Sequence, residues 1–103
     1  MSKIYKIQST PIDVLTKQSK VYGFKHTVHI LYQELLIIKE KNRSIVFLIK
    51  LKKLDALINN YKNYKEKEFY TLFLEGLKQI HLTNLKEYCA LLCFLQELVA
   101  SFR

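Results

Sequence analysis

The scarcity of turn-forming residues is the feature that most constrains this sequence. Its 103 residues include only two glycines, Gly23 and Gly76, and one proline, Pro11. Small β-sandwiches and barrels need a turn about every ten residues, and glycine and proline are the residues that most often form those turns. Half of the residues are apolar, which is enough to build one hydrophobic core in a chain of this length. We therefore predict a single helical domain over residues 1–103, with long helices joined by few turns.

Apolar residues recur at helical spacing in five segments. The predicted helices cover approximately residues 10–22, 26–41, 44–61, 66–81 and 83–102. Thr10 and Pro11 are favourable as N-cap and first helical residue, and Gly23 is a favourable stop. Residues 3–9 alternate only loosely, which predicts a short strand or an extended arm within residues 1–10. The expected fold is all-α: an antiparallel bundle of four to five helices after an N-terminal extended segment or strand.

Three segments, residues 45–49, 69–74 and 88–102, are more apolar than one buried helical stripe requires. Residues 45–49 read Ile-Val-Phe-Leu-Ile and, taken alone, are also typical of a β-strand. The last helix is apolar on most faces, which is typical of a central bundle helix or of a helix that contacts a partner. This surplus indicates a homodimer or docking onto another protein, and a crowded five-helix core explains it equally well. The apolar residues predicted at such an interface are Phe94, Leu98 and Phe102.

The chain is strongly basic. Seventeen Lys and Arg residues stand against nine Asp and Glu residues, for a formal net charge of +8. Positive charge of this size favours association with polyanions or with acidic protein surfaces. All the basic residues except Arg43 and Arg103 are lysines. Because the arginine fork makes the commonest base-specific contact, this lysine bias argues against sequence-specific reading of DNA.

The basic residues concentrate between residues 39 and 67. Lysines that alternate with tyrosines can contact phosphates while the tyrosine rings stack on exposed bases. A solvated lysine face that keeps an apolar domain soluble, with Tyr61 packed into the core, is the simpler and more common interpretation of such a run. The candidate binding residues of this basic segment are Lys39, Lys41, Arg43, Lys50, Lys53, Tyr61, Lys62, Tyr64 and Lys65.

Other kinds of site receive little support from the sequence. His26 and His29 share one helical face, and so do Cys89 and Cys93, but neither spacing is that of a zinc finger or ribbon. Buried cysteines and surface histidines are the simpler interpretation. Residues 66–102 have the outline of a helix-turn-helix, yet the last helix lacks the polar face that a recognition helix presents to DNA. No catalytic motif is present, so we expect no enzyme activity, no metal site and no cofactor.

These observations together predict a binding protein. The N-terminal sequence lacks the apolar segment of a signal peptide and no apolar run is long enough to span a membrane, so we expect a cytoplasmic protein. We expect it to act stoichiometrically on a protein partner with an acidic surface, as phage- or plasmid-type inhibitors and immunity proteins do. The alternative is a nucleic-acid-binding accessory protein that uses residues 39–67. In size, charge and helical make-up the chain is similar to the small basic immunity proteins of lactic-acid-bacterial bacteriocins, although no motif matches residue by residue.

Overall fold

The computed structural model describes residues 11–41, 44–80 and 86–102. Within these ranges the chain forms four α-helices and no β-strand, which confirms the prediction of an all-helical fold. The helices are α1 (Ile12–Lys41), α2 (Ile45–Asn59), α3 (Glu66–Lys78) and α4 (Lys86–Ala100), with a short 3-10 helix (Tyr61–Asn63) after α2. The arm or strand predicted within residues 1–10 lies outside the described residues.

The four helices pack against one another around a shared core. α4 contacts both α1 and α3, and α2 contacts α1 and α3. The antiparallel order of the helices stays a prediction. No helix in the described ranges is both long and apolar enough to cross a membrane.

The first two predicted helices are joined into α1 through a kink at Gly23. Gly23 has φ 87° and ψ −169°, a non-helical conformation that essentially only glycine adopts. The hydroxyl of Thr27, which is fully buried, donates a hydrogen bond of 2.8 Å to the Gly23 carbonyl oxygen. The break predicted at Gly23 is therefore present as a change of direction within α1 rather than as a loop.

α2 includes the segment that resembles a strand in sequence. The Ser44 side chain accepts a hydrogen bond from the Phe47 amide at 3.4 Å, so Ser44 is the N-cap of α2. The strand alternative for residues 45–49 is wrong, because these residues belong to a helix with one continuous buried face. The buried residues of α2 are Phe47, Leu51, Leu54 and Ile58.

Aromatic rings connect α1 to the second half of the chain. The Phe24 ring, just after the kink, makes edge-to-face contacts with Tyr61, Phe69 and Tyr70 at centroid distances of 5.5 to 5.6 Å. Edge-to-face pairs are stabilised beyond the area that they bury. Phe69 also lies 5.8 Å from Phe73, and both rings are fully buried. This cluster fixes the start of α3 and the 3-10 helix against the middle of α1.

Gly76 lies inside α3, where it allows a close approach to α2. A Cβ atom at this position would lie 2.5 Å from Cδ2 of Leu54, a buried residue of α2. Glycine removes that overlap at the expense of helix propensity. Gly76 therefore serves the packing of α3 against α2.

Candidate binding surfaces

The predicted basic segment does not form one free surface. Nζ of Lys39 lies 3.0 Å from Oδ2 of Asp55, which links α1 to α2. Lys41 forms an ion pair with Glu87, which links the end of α1 to the start of α4. Two of the candidate phosphate-binding lysines are thus neutralised by carboxylates of the chain itself. Arg43 lies outside the described residues.

The other candidate residues of the basic segment lie on different parts of the surface. Nζ of Lys50 donates to the carbonyl oxygen of Gln79 at 3.3 Å, beyond the C-terminal end of α3, where positive charge is favoured. Lys53 and Tyr64 line a groove between α2 and α3 that also contains Glu75. Basic and acidic side chains are therefore mixed on this side of the molecule, as on an ordinary solvated surface.

Tyr61 and its neighbours are divided between core and solvent. Tyr61 is half-buried and packs against the hydrophobic core, as the simpler interpretation predicted. Nζ of the exposed Lys62 lies 6.0 Å from the centroid of the Tyr61 ring, the outer limit of a cation–π contact. Lys65 is exposed and lines a second groove, together with Lys67 and Glu68.

The predicted apolar interface on α4 belongs to the core. Phe94 is fully buried and Leu98 is 5% exposed, so neither side chain offers surface to a partner, and the interface prediction is wrong for both. Phe102 is half-buried, with its ring 5.7 Å from that of Tyr70. The reason is the position of α4, which contacts both α1 and α3 and therefore uses more than one apolar face within the fold.

The exposed apolar surface lies instead at the start of α2. Around the buried Phe47, four large apolar side chains face solvent, and we call them the α2 apolar patch. Their exposed fractions are 74% for Ile45, 63% for Val46, 37% for Leu48 and 57% for Ile49. The sequence does indicate this patch. Residues 45–49 are apolar on every face, whereas only Phe47 among them belongs to the buried stripe of α2.

The two cysteines are exposed, contrary to the expectation of buried core residues. Cys89 and Cys93 lie on one face of α4 as free thiols. In the described part of the chain, no group of three or more His, Cys, Asp or Glu side chains is arranged to hold a metal ion.

A groove between α1 and α2 was not predicted from the sequence. Lys25, His29 and Tyr32 line it from α1, and Asn59 and Tyr61 line it from the end of α2 and the 3-10 helix. It has a volume of about 350 Å³, and the buried residues Val28 and Ile58 complete its lining. We call it the α1–α2 groove. One feature of the sequence could have indicated this groove: residues 14–33 contain three lysines and two histidines but no Asp or Glu.

Two pKa shifts have clear structural causes. Burial raises the pKa of Tyr70 to about 12, against the opposing effect of a hydrogen bond with Thr27. The hydrogen bond from Lys41 lowers the pKa of the Glu87 carboxyl, against the opposing effect of burial. Both groups belong to contacts between helices, so their shifts follow from packing rather than from a reactive site.

Comparison with known protein families, with characterised proteins and with solved structures finds no match for this chain.

Proposed function

We propose that this chain is a non-enzymatic binding protein that acts stoichiometrically on a protein partner, in the manner of a phage- or plasmid-type inhibitor or immunity protein. The observation that carries the proposal is the α2 apolar patch, whose four side chains occur within five consecutive residues. Single exposed apolar residues are normal on any protein, but contiguous ones on a small domain are typical of a binding site.

The residues beside the patch indicate the chemistry of the partner. Lys53 follows Ile49 by one helical turn, and Lys52 follows Leu48 in the same way. Both lysines are exposed. A complementary partner has an apolar recess next to acidic side chains, where the apolar contacts supply affinity and the charges speed association.

The proposal includes an antiparallel arrangement of α1 and α2 and a cytoplasmic place of action. The Lys39–Asp55 pair and the groove that Tyr32 shares with Ile58 are the contacts expected if α1 and α2 run antiparallel. The cytoplasm is the proposed place of action. The alternative, a nucleic-acid-binding accessory protein that uses residues 39–67, has less support because Lys39 and Lys41 are paired with carboxylates.

Affinity capture with the tagged full chain tests the proposal. We expect one stoichiometric protein partner from the source cells, retained after nuclease treatment and at moderate salt. Replacing Ile45 and Ile49 with aspartate should abolish capture, because a charge at each position opposes burial of the patch. Val21→Asp is the matched control, since Val21 is 72% exposed on α1, away from the patch in sequence.

Three outcomes would contradict the proposal. Equal capture by the patch variant would show that the patch is not the contact surface. Recovery of nucleic acid alone would favour the alternative function. Self-association that the same variant abolishes, measured by size-exclusion chromatography with light scattering, would assign the patch to a homodimer.

A further inference from the structure

The α1–α2 groove has a different composition from the α2 apolar patch. Lys25, His29 and Tyr32 are spaced by four and three residues, so they lie on one face of α1. Asn59 and Tyr61 face them from the end of α2 and the turn that follows. At about 350 Å³ the groove is within the size range of small-molecule sites.

The groove combines an apolar lining with two tyrosines. Val28 and Ile58 are 5% and 6% exposed, and they provide aliphatic surface between the polar residues. Tyr32 is 40% exposed, which leaves part of its ring accessible to another planar group. Tyr61 is held by its edge-to-face contact with Phe24 at 5.6 Å. An aromatic ligand would thus meet one accessible ring and one fixed ring.

The charged and polar groups of the groove favour an anion. Among the residues that the structure describes, no carboxylate lines the groove, and neither described ion pair involves Lys25. The two stretches of chain that form it, residues 14–33 and 56–65, contain no Asp or Glu. The Lys25 ammonium is therefore available to an external anion, with the Asn59 amide as both hydrogen-bond donor and acceptor.

We propose that the α1–α2 groove binds a nucleotide, either free or as one unit of a single strand. The base stacks on Tyr32 beside the aliphatic lining, and the Asn59 amide, which lines the same groove, hydrogen-bonds to the edge of the base. The phosphate contacts Lys25 and His29. Stacking of this kind tolerates any base, because every base has a π-face. This site shares no residue with the α2 apolar patch, so it stands or falls independently of the protein-binding function.

Titration of the ¹⁵N-labelled full chain followed by NMR tests the site, with adenosine 5′-monophosphate and a thymidine octanucleotide as probes. We expect the amide signals of Lys25, His29, Tyr32 and Asn59 to shift on binding. Adenosine and ribose 5-phosphate, which each lack one half of the ligand, should bind at least about tenfold more weakly. Tighter binding of the octanucleotide, with shifts of the same amide signals, would identify a single strand as the ligand. Tighter binding of adenosine 5′-monophosphate would identify a free nucleotide.

Matched substitutions separate the groove from the general positive charge of the chain. Lys25→Glu and Tyr32→Ala should each weaken binding by about tenfold or more, and both positions are exposed, so the fold should persist by circular dichroism. Lys17→Glu makes the same charge change at an exposed position of α1 outside the groove and should leave affinity within about twofold. No binding of either probe, equal losses in the two lysine variants, or full affinity in Lys25→Glu would overturn the proposal.

Discussion

Among single residues, Gly23 has the largest influence on the path of α1. Its φ of 87° and ψ of −169° lie in a region that residues with a Cβ atom rarely enter. Among the described residues, no heavy atom outside Gly23 and its two chain neighbours lies within 4 Å of the position that a Cβ would occupy. Gly23→Ala therefore tests the backbone conformation alone, without a steric clash. We expect a loss of about 1–3 kcal/mol in the free energy of unfolding, measured by urea denaturation.

The direction of this effect separates a kink from a regular helix. In a regular helix, Gly→Ala raises stability by about 0.5–1 kcal/mol. Lys20→Ala, at an exposed position in the same helix, should change stability by less than about 0.5 kcal/mol and controls for local helix propensity. An increase in stability on Gly23→Ala would show that α1 is straight at this residue.

At the level of helices, the Lys41–Glu87 pair connects the end of α1 to the start of α4. Glu87 is 6% exposed, and its pKa is lowered from the ordinary value of 4.5, mainly by the hydrogen bond from Lys41. A carboxyl whose pKa is lower in the folded state stabilises the fold when ionised. This contribution is complete above the unfolded-state pKa, and it is lost as the pH falls through the lowered folded-state value.

Glu87→Gln should reproduce that loss at neutral pH. We expect the variant to be about 1–2 kcal/mol less stable than the original chain at pH 7, because Lys41 is half exposed and water screens the pair. The difference should shrink as the pH is lowered towards about 3, measured by urea denaturation at each pH. Glu97→Gln, at an exposed position of α4, should show no comparable difference. A difference between Glu87→Gln and the original chain that is constant with pH would mean that the charge of Glu87 contributes nothing.

Local sequence predicted the helices well because their signals are local. Ser44 caps α2 through a residue three positions away, and Gly23 breaks the helix at its own position. The surfaces were harder to predict, because their partners are distant in the chain. Lys41 is 46 residues from Glu87, so its neutralisation leaves no trace in the sequence around it. Phe94 is likewise buried only because two other helices cover α4.

For the whole molecule, one candidate surface was visible in the sequence and another was not, because only the first consists of consecutive residues. The α2 apolar patch is a continuous run, so its composition alone marks residues 45–49 as surplus. The α1–α2 groove joins side chains near residue 29 to others near residue 60. Their proximity depends on how α1 packs against α2, which periodicity within one helix does not specify.

The net charge of the whole molecule has a measurable consequence for stability. The chain carries a formal charge of +8, and the ion pairs in the described ranges include Lys39–Asp55 and Lys41–Glu87. Repulsion among the remaining positive charges destabilises the compact state. Sodium chloride at about 0.15 M shortens the Debye length to about 8 Å and screens this repulsion. We therefore expect the melting temperature, followed by circular dichroism, to rise by about 2–5 °C between low salt and 0.15 M.

Charge reversal distinguishes this repulsion from other effects of salt. Lys20 and Lys52 are exposed, and neither takes part in a described ion pair. Replacing both with glutamate lowers the net charge, so the melting temperature should be higher at low salt and should rise less when salt is added. Replacing both with glutamine should give an intermediate result. A melting temperature that falls with salt in the original chain would instead show that attractive ion pairs outweigh the repulsion, because screening weakens attraction and repulsion alike.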